Sequence, residues 1–317
     1  MPYVEANRVT IAYESFGPVD GEVILLIAGL GTQMLRWSSE FCDRLMAQGF
    51  RVIRFDNRDA GLSTHLRDHP APDFAALSAA AASGRPFAVP YTLEDMASDT
   101  LGLLDALGIE QAHLVGRSMG GMIAQIVASA YPHRTLSLAA IMSATGNPEL
   151  PKAAPEVMAM LMRPAPAPSE DLEGYLGHNL AFARRIAGPG YPFDEMAQRA
   201  LIMSELARSY DPAGTGRQIA AIAATGDLRP RLSQITAPTL AVHGADDSLV
   251  PTAAGADIAA SISGARLMII DGMGHDLPAP LYNRVVRAIA ENARSAGQAS
   301  NAPPRRSPAM DPSETWV

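Results

Sequence analysis

The stretch Ala112-His113-Leu114-Val115-Gly116-Arg117-Ser118-Met119-Gly120 decides the fold. Its first four residues form a short β-strand pattern, and the last five form a G-x-S-x-G motif that opens a helical pattern. A serine on a sharp strand-to-helix turn, between glycines whose missing Cβ leaves room, is typical of a nucleophile elbow. An ordinary turn with a helix-capping serine has the same local pattern, so the residues around the motif must decide between the two.

Strand and helix patterns alternate on both sides of this stretch. Helical patterns lie at residues 39–48, after Thr92, at 253–262 and at 281–293. Strand patterns lie at Thr10–Tyr13, Val23–Ile27, Arg51–Phe55, Leu136–Met142, Thr239–Val242 and Arg266–Ile270. This alternation predicts an α/β protein with a mostly parallel central sheet and helices on both faces.

The alternation is interrupted from residue 146 to residue 233, a stretch with several prolines, helical patterns and no strand pattern. We therefore predict a core of residues 1–145 and 234–294 and an inserted helical cap of residues 146–233, hereafter the cap segment. Residues 66–90 contain prolines and a run of alanines and are expected to be a long surface insertion. Residues 295–317 are rich in Ser, Pro, Ala and Asn and are expected to be a disordered tail.

Composition narrows the class of function. The chain has 25 basic and 33 acidic residues and a net charge of −8, which disfavours binding to nucleic acid or to anionic membranes. The single cysteine, Cys42, cannot form an internal disulfide and is expected to be a small buried hydrophobe. No signal-peptide or membrane-span pattern is visible, so we expect a cytoplasmic protein with a small-molecule substrate. The sequence does not indicate an oligomeric state.

A serine hydroxyl needs a base, and the base needs an orienting group. In the strand–elbow–helix arrangement the expected chain order is serine, acid, histidine. Asp246 and Asp247 follow one predicted strand, and His275 follows the next. Because the carboxyl ends of parallel strands meet at one edge of the sheet, these groups are expected to converge on Ser118. The other six histidines have no comparable setting, and we interpret His243, at a strand end, as structural.

Two further segments resemble bacterial α/β-hydrolases, and more narrowly serine esterases of the aclacinomycin methylesterase type. They are Arg54-Phe55-Asp56-Asn57-Arg58-Asp59-Ala60-Gly61-Leu62-Ser63-Thr64 and Gly272-Met273-Gly274-His275-Asp276-Leu277-Pro278. The resemblance covers about residues 1 to 295 and implies the α/β-hydrolase fold. In the family the acid lies three residues after a loop glycine and four before a proline, which selects Asp247 and not Asp246. The resemblance thus implies a catalytic triad of Ser118, Asp247 and His275.

The fold also requires two backbone N–H groups that form an oxyanion hole. One belongs to the residue after the nucleophile, Met119, and the resemblance assigns the other to Leu30. Many relatives begin the second loop with His-Gly, whereas this chain has Ala28-Gly29. The cluster of Asp56, Arg58 and Asp59 is expected to pair structurally and to hold the loop beside this turn. No metal-ligand spacing, phosphate loop or dinucleotide motif appears, so no metal and no cofactor are expected.

The predicted function is hydrolysis of a carboxylic ester through an acyl-enzyme, on a bulky hydrophobic ester or lactone such as a macrolide or polyketide ester. A methionine stripe in the cap segment, Met158, Met160 and Met162, is expected to line the substrate pocket, although ordinary packing gives the same pattern. A cofactor-free perhydrolase or a C–C bond hydrolase with the same triad is an alternative, as is a non-catalytic ligand-binding protein. Peracid formation from acetate and peroxide, and turnover of ring-cleavage products, would identify the first two.

Overall fold

The computed structural model describes residues 1–70, 72–74, 77, 79, 83 and 87–300. Eight strands form one sheet in the order β1-β2-β4-β3-β5-β6-β7-β8. Strands β1 and β2 are joined in an antiparallel hairpin, β2 pairs antiparallel with β4, and the remaining pairs are parallel. The predicted α/β class with a mostly parallel sheet is therefore confirmed. The strands are β1 (Tyr3–Ala6), β2 (Val9–Phe16), β3 (Val23–Ile27), β4 (Arg51–Phe55), β5 (Ala112–Arg117), β6 (Thr135–Ile141), β7 (Thr239–Gly244) and β8 (Arg266–Ile270).

Helices cover both faces of the sheet, which explains why the central strands are apolar along their whole length. All five residues of β3 are buried, and successive residues point to opposite faces. Ile24 and Leu26 pack in the cluster under α1 (Ser39–Met46) and α10 (Tyr282–Ser300). Leu25 and Ile27 pack in the cluster under α2 (Leu93–Ala106), α3 (Met119–Ala130) and α9 (Ala253–Ser261). The two clusters form the core.

The cap segment, all of which the structure describes, lies between β6 and β7 in the chain and contains helices but no strand. Asp171, Asp194 and Asp211 each cap a helix in it by accepting a hydrogen bond from a backbone N–H in the first turn. The helices of the cap segment are α4 (Pro155–Met162), α5 (Leu172–Ile186), α6 (Glu195–Arg208), α7 (Pro212–Thr225) and α8 (Arg229–Leu232), and the three aspartates cap α5, α6 and α7.

Helix α10 continues to Ser300, so residues 295–300, expected to belong to a disordered tail, are helical. Residues 301–317 of that tail lie outside the described residues, as do residues 71, 75–76, 78, 80–82 and 84–86 of the expected surface insertion. Within the described ranges, no helix combines the length and the apolar character needed to cross a membrane.

Candidate active site

Ser118 lies on the turn between β5 and α3, with a φ of 52° and a ψ of −123°. A residue with a side chain rarely adopts a positive φ, so the surrounding structure must hold it there. The glycines of the motif make this possible. A Cβ on Gly116 would lie 2.1 Å from the Gly120 carbonyl oxygen, and one on Gly120 would lie 2.2 Å from the Ile27 carbonyl oxygen. The turn therefore requires glycine at both positions.

The structure brings Ser118, His275 and Asp247 together from three separate loops. His275 Nε2 lies 3.1 Å from Ser118 Oγ, and His275 Nδ1 lies 2.7 Å from Asp247 Oδ2. Asp247 Oδ1 accepts hydrogen bonds from the backbone N–H groups of Leu249 and Val250 at 2.9 and 2.8 Å. The carboxylate is thus fixed by the backbone of its own loop while its second oxygen faces the imidazole.

These contacts determine where the imidazole proton lies. Burial raises the pKa of Asp247, but charge interaction with His275 and hydrogen bonds from His243, His275 and the Val250 N–H outweigh burial and lower it to about 2. Asp247 is therefore a carboxylate at neutral pH and can only accept a hydrogen bond. His275 Nδ1 must donate to it, so in the neutral imidazole the lone pair of Nε2 faces the Ser118 hydroxyl. This arrangement can accept a proton from serine.

The neighbouring aspartate lies in a different setting. Asp246 is exposed, and its Oδ2 accepts a hydrogen bond from the backbone N–H of Gly272 at 2.9 Å. Asp246 therefore ties the acid loop to the histidine loop from outside.

His243, which the sequence places near the acid loop and which we interpreted as structural, lies beside the acid itself. It is fully buried at the end of β7, where Nε2 lies 2.8 Å from the Val250 carbonyl oxygen and 3.5 Å from Asp247 Oδ2. Both partners are acceptors, so Nε2 carries the proton. Its position four residues before the acid, on the strand that leads into the acid loop, was the available sequence signal.

The turn after β3 lies against the nucleophile. A Cβ on Gly29 would lie 3.3 Å from Ser118 Cβ, so Leu30 follows at the edge of the site. Met119 is buried at the first position of α3, where backbone N–H groups have no partner within the helix. The turn is fixed on its far side by Asp56, whose Oδ1 accepts from the Met34 N–H at 2.7 Å.

The cluster of Asp56, Arg58 and Asp59 pairs structurally, as the sequence indicated. Arg58 makes two hydrogen bonds to Asp99 on α2, at 2.6 and 2.5 Å. The two aspartates bind the cap segment. Asp56 pairs with Arg208 at 2.7 Å, and Asp59 pairs through both oxygens with Arg217 at 2.7 and 2.8 Å.

One set of side chains near this cluster has ligand atoms close enough for a metal ion: Asp59, His65 and Asp211, within 4.8 Å of one another. Arg217 bonds to both carboxylates, at 2.7 Å to Asp59 and 2.9 Å to Asp211. The guanidinium supplies the positive charge that a cation would bring, so these residues fit an ion-pair network rather than a metal centre.

The cap segment also contacts the histidine loop directly. The His275 N–H donates to the Ile186 carbonyl oxygen at 2.8 Å, at the end of α5. The loop that follows α5 meets the histidine loop through four glycines. Gly188 and Gly190 lie on the first loop and Gly272 and Gly274 on the second, and the four are hereafter called the glycine clasp. A Cβ on Gly188 would lie 2.1 Å from the Gly272 carbonyl oxygen. The backbones of the two loops are therefore in direct contact, and there is no space for a side chain at these positions.

The methionine stripe lies on α4, where Val157 is fully buried, Met160 is half-buried, and Met158 and Met162 are 39% and 37% exposed. The residue preceding the helix, Ala154, donates its N–H to the Ser248 carbonyl oxygen at 3.3 Å. The start of α4 is thus tied to the acid loop beside Asp247. A role for these methionines in a pocket stays a prediction.

Comparison with known proteins agrees with this arrangement. Residues 22–278 match the model of the alpha/beta hydrolase fold family. The chain is 30% identical to rhodomycin D methylesterase DnrP of Streptomyces peucetius over 92% of its own length and 97% of that protein's. It is 31% identical to a putative carbamate hydrolase, RutD, of Variovorax paradoxus, over 83% of this chain and 88% of that one.

A solved structure is similar over the same length. Est816, described as an N-acyl homoserine lactone degrading enzyme, is 26% identical, covers 93% of this chain and 99% of its own, and superposes with a TM-score of 0.63. The family match spans the elbow, the acid loop and the histidine loop together. The chain belongs to the α/β-hydrolase fold family.

Proposed function

We propose that this protein is a carboxylic ester hydrolase whose nucleophile is Ser118. The observation that carries the proposal is the continuous chain of contacts from Ser118 Oγ through His275 to Asp247, at 3.1 and 2.7 Å. A non-catalytic ligand-binding member of the fold would have no need for this alignment at a strained serine. Relatives named as a methylesterase and as hydrolases support the same class of reaction.

In the proposed mechanism Ser118 Oγ attacks the ester carbonyl carbon while its proton passes to His275 Nε2. The resulting imidazolium is stabilised by Asp247, and the backbone N–H groups of Leu30 and Met119 stabilise the oxyanion. The alcohol leaves with the proton from His275, and the acyl group remains on Ser118. A water molecule then gives a proton to His275 and attacks the acyl carbon. His275 returns this proton to Ser118 Oγ as the bond to the acyl carbon breaks, which releases the carboxylic acid and restores the serine.

The proposed substrate is a bulky hydrophobic ester or lactone, with the cap segment forming one wall of its pocket. Two comparisons support this class: DnrP, which is named a methylesterase, and Est816, which is described as degrading N-acyl homoserine lactones. The cap segment supports it too, since its ends and helices are attached to the acid, histidine and oxyanion loops around Ser118.

The test combines labelling with turnover. A fluorophosphonate probe should modify Ser118, and Ser118→Ala should abolish both labelling and ester turnover, by about 10⁴-fold or more, while the fold is unchanged. Turnover should be measured on a panel of p-nitrophenyl esters, polyketide methyl esters, macrolide lactones and carbamates. Ordinary activity in folded Ser118→Ala would refute the mechanism. Preference for the smallest esters throughout the panel would refute the substrate class.

A further inference from the structure

Gln218 lies on α7 of the cap segment, and its side chain is fully buried. Both ends of its carboxamide are used. Oε1 accepts a hydrogen bond from the Gly31 backbone N–H at 2.7 Å, and Nε2 donates to the Arg58 carbonyl oxygen at 2.8 Å. The side chain therefore bridges the turn after β3 and the loop after β4, two segments of the core that are separated in sequence.

Gly31 is part of the turn that contains Leu30, the residue assigned to the oxyanion hole. Its φ is +62°, and a Cβ there would lie 2.7 Å from Thr215 Oγ1 on α7. The Gly31 N–H and the Leu30 carbonyl belong to one peptide plane, because a peptide unit is planar. A hydrogen bond that fixes this plane constrains Leu30 from its C-terminal side, and the orientation of the Leu30 N–H depends on the same residue.

Other hydrogen bonds hold the turn near its two ends. At the start Asn57 Nδ2 donates to the Ala28 carbonyl oxygen at 3.0 Å, and at the far end Asp56 accepts from the Met34 N–H. Within the turn Thr32 Oγ1 donates to the Gly29 carbonyl oxygen at 2.9 Å. Gln218 acts between these points. A donor contributes to transition-state stabilisation when it is fixed in place before charge develops on the substrate oxygen. The bond from Gly31 to Gln218 therefore supports the turn, from outside it, at the peptide next to Leu30.

We propose that Gln218 is a positioning residue for the oxyanion turn, through which docking of the cap segment sets the geometry of the Leu30 N–H. This proposal rests on the proposed ester hydrolase function. A positioning role and a purely structural role predict different effects when Gln218 is replaced. Removal of a structural contact lowers the free energy of unfolding, whereas loss of a positioning contact lowers the affinity for the transition state more than the affinity for the ground state.

The test uses Gln218→Met, which keeps the volume and removes the acceptor, and Gln218→Glu, which keeps an acceptor for the Gly31 N–H. The matched control is Asn292→Ala. Asn292 is also a buried carboxamide, and its Nδ2 donates to the Leu138 and Pro238 carbonyl oxygens, both at 3.0 Å, away from the oxyanion turn. Each variant is first checked for folding by thermal denaturation. Then kcat, KM and the Ki of a trifluoromethyl ketone analogue of a good substrate are measured.

In folded Gln218→Met we expect kcat/KM to fall by about tenfold to a hundredfold with KM little changed. The Ki of the ketone, which forms an oxyanion on reaction with Ser118, should rise by the same factor. Gln218→Glu should retain a lower Ki than Gln218→Met. Asn292→Ala should lose thermal stability and keep the Ki of the wild-type protein.

The proposal is overturned if Gln218→Met loses only stability and binds the ketone as tightly as the wild-type protein. It is also overturned if Asn292→Ala raises the Ki by the same factor, since the effect would then follow from any buried amide loss. If Gln218→Met does not fold, Gln218→Ala takes its place under the same Ki criterion, with Asn292→Ala as its like-for-like control. A wild-type protein that neither hydrolyses esters nor binds the ketone would refute the proposed function itself.

Discussion

Ser118 and Asp247 are each held by backbone, one by a strained turn and the other by two N–H donors of its own loop. His275 is held by a backbone contact to Ile186 and by Asp247. Because of this preorganisation, the imidazole is already oriented toward Ser118 and Asp247 before the reaction begins. The residues of the triad should therefore differ sharply from their neighbours in the cost of substitution.

The two adjacent aspartates provide such a comparison. Asp247→Asn should lower kcat by about 10³- to 10⁴-fold, because the amide cannot hold the required histidine tautomer or stabilise the imidazolium. Asp246→Asn is the matched control, since that side chain is exposed and, within the described residues, accepts a hydrogen bond only from the Gly272 N–H. Steady-state kinetics of both variants on one ester would check this. A larger loss in Asp246→Asn would mean that the acid has been assigned to the wrong residue.

Asp247 also predicts a dependence of stability on pH. Its pKa is about 2 in the folded protein, below the value of about 3.9 for an unfolded aspartate. The unfolded chain binds this proton more readily, so the contribution of Asp247 to stability is present above about pH 4 and is lost as the pH falls toward 2. The full contribution is on the order of 2 kcal/mol.

Urea denaturation of the wild-type protein and of Asp247→Asn, at a series of pH values from about 6 to 3, measures this contribution. The difference in free energy of unfolding between the two proteins should shrink as the pH falls. A difference that stays constant over this range would contradict the low pKa of Asp247.

At the scale of secondary structure, the nucleophile elbow depends on how closely α3 approaches β3. Gly120→Ala should displace the start of α3, because the new Cβ would lie 2.2 Å from the Ile27 carbonyl oxygen and 2.6 Å from that of Ala28. We expect a loss of about 1–3 kcal/mol in stability and a large loss of kcat, because Met119 and Ser118 move with the helix. Thermal melting and ester kinetics provide the measurements.

Gly177, an exposed glycine in α5, is the matched control, because a Cβ there would have no atom of the described residues within 4 Å. Gly177→Ala should keep full activity and gain about 0.5–1 kcal/mol, because alanine favours a helix over glycine. Equal effects of the two substitutions would show that the close approach at Gly120 has no special importance.

Secondary-structure elements with a strong apolar pattern were predicted from the sequence, and an element with a weak pattern was missed. Strand β3 and the helix after Ser118 have strong apolar patterns, and both occur as expected. Strand β1 was not predicted. It is four residues long, only Ala6 is buried, and it joins β2 through Asn7 and Arg8, which both have positive φ. That two-residue turn is typical of a hairpin, but the usual glycine in its second position is absent.

For the site, the chain order of serine, acid and histidine, with the family resemblance that selects Asp247 over Asp246, identified the residues that the structure brings together. The supporting contacts could not be predicted in the same way. Gln218 and Gly31 are 187 positions apart, and Ile186 contacts His275 through a backbone carbonyl that any residue type would offer. Such contacts depend on how the cap segment packs, which no local pattern encodes.

At the scale of the whole molecule, the cap segment is joined to the core by buried ion pairs. Arg217 and Asp59 are 1% and 0% exposed in their side chains. Removing one partner of a buried pair leaves an uncompensated charge and is strongly destabilising. The cap segment is therefore expected to unfold together with the core rather than as a separate unit.

Substrate size is the property that the cap segment should control. Met158, Met160 and Met162 should be replaced by alanine one at a time, and kcat/KM measured for small and for bulky esters. For each side chain that lines the pocket, the ratio of the two values should change by a factor equivalent to about 1–3 kcal/mol of transition-state free energy. Met196, which is 83% exposed on α6, provides a matched methionine control. If all three variants keep the wild-type ratio and lose only thermal stability, the stripe is packing and specificity lies elsewhere in the cap segment.

The glycine clasp has a consequence for how such an enzyme diversifies. A foreign insertion grafted between β6 and β7 would have to present a backbone free of Cβ atoms to Gly272 and Gly274, or else push the histidine loop away from Ser118. The joint is thus intolerant of exchange, while helices that do not touch it can vary. New substrate ranges in this lineage should arise by changes within α4, and chimaeras that move the whole insertion should succeed only when the glycines of both halves of the clasp are kept.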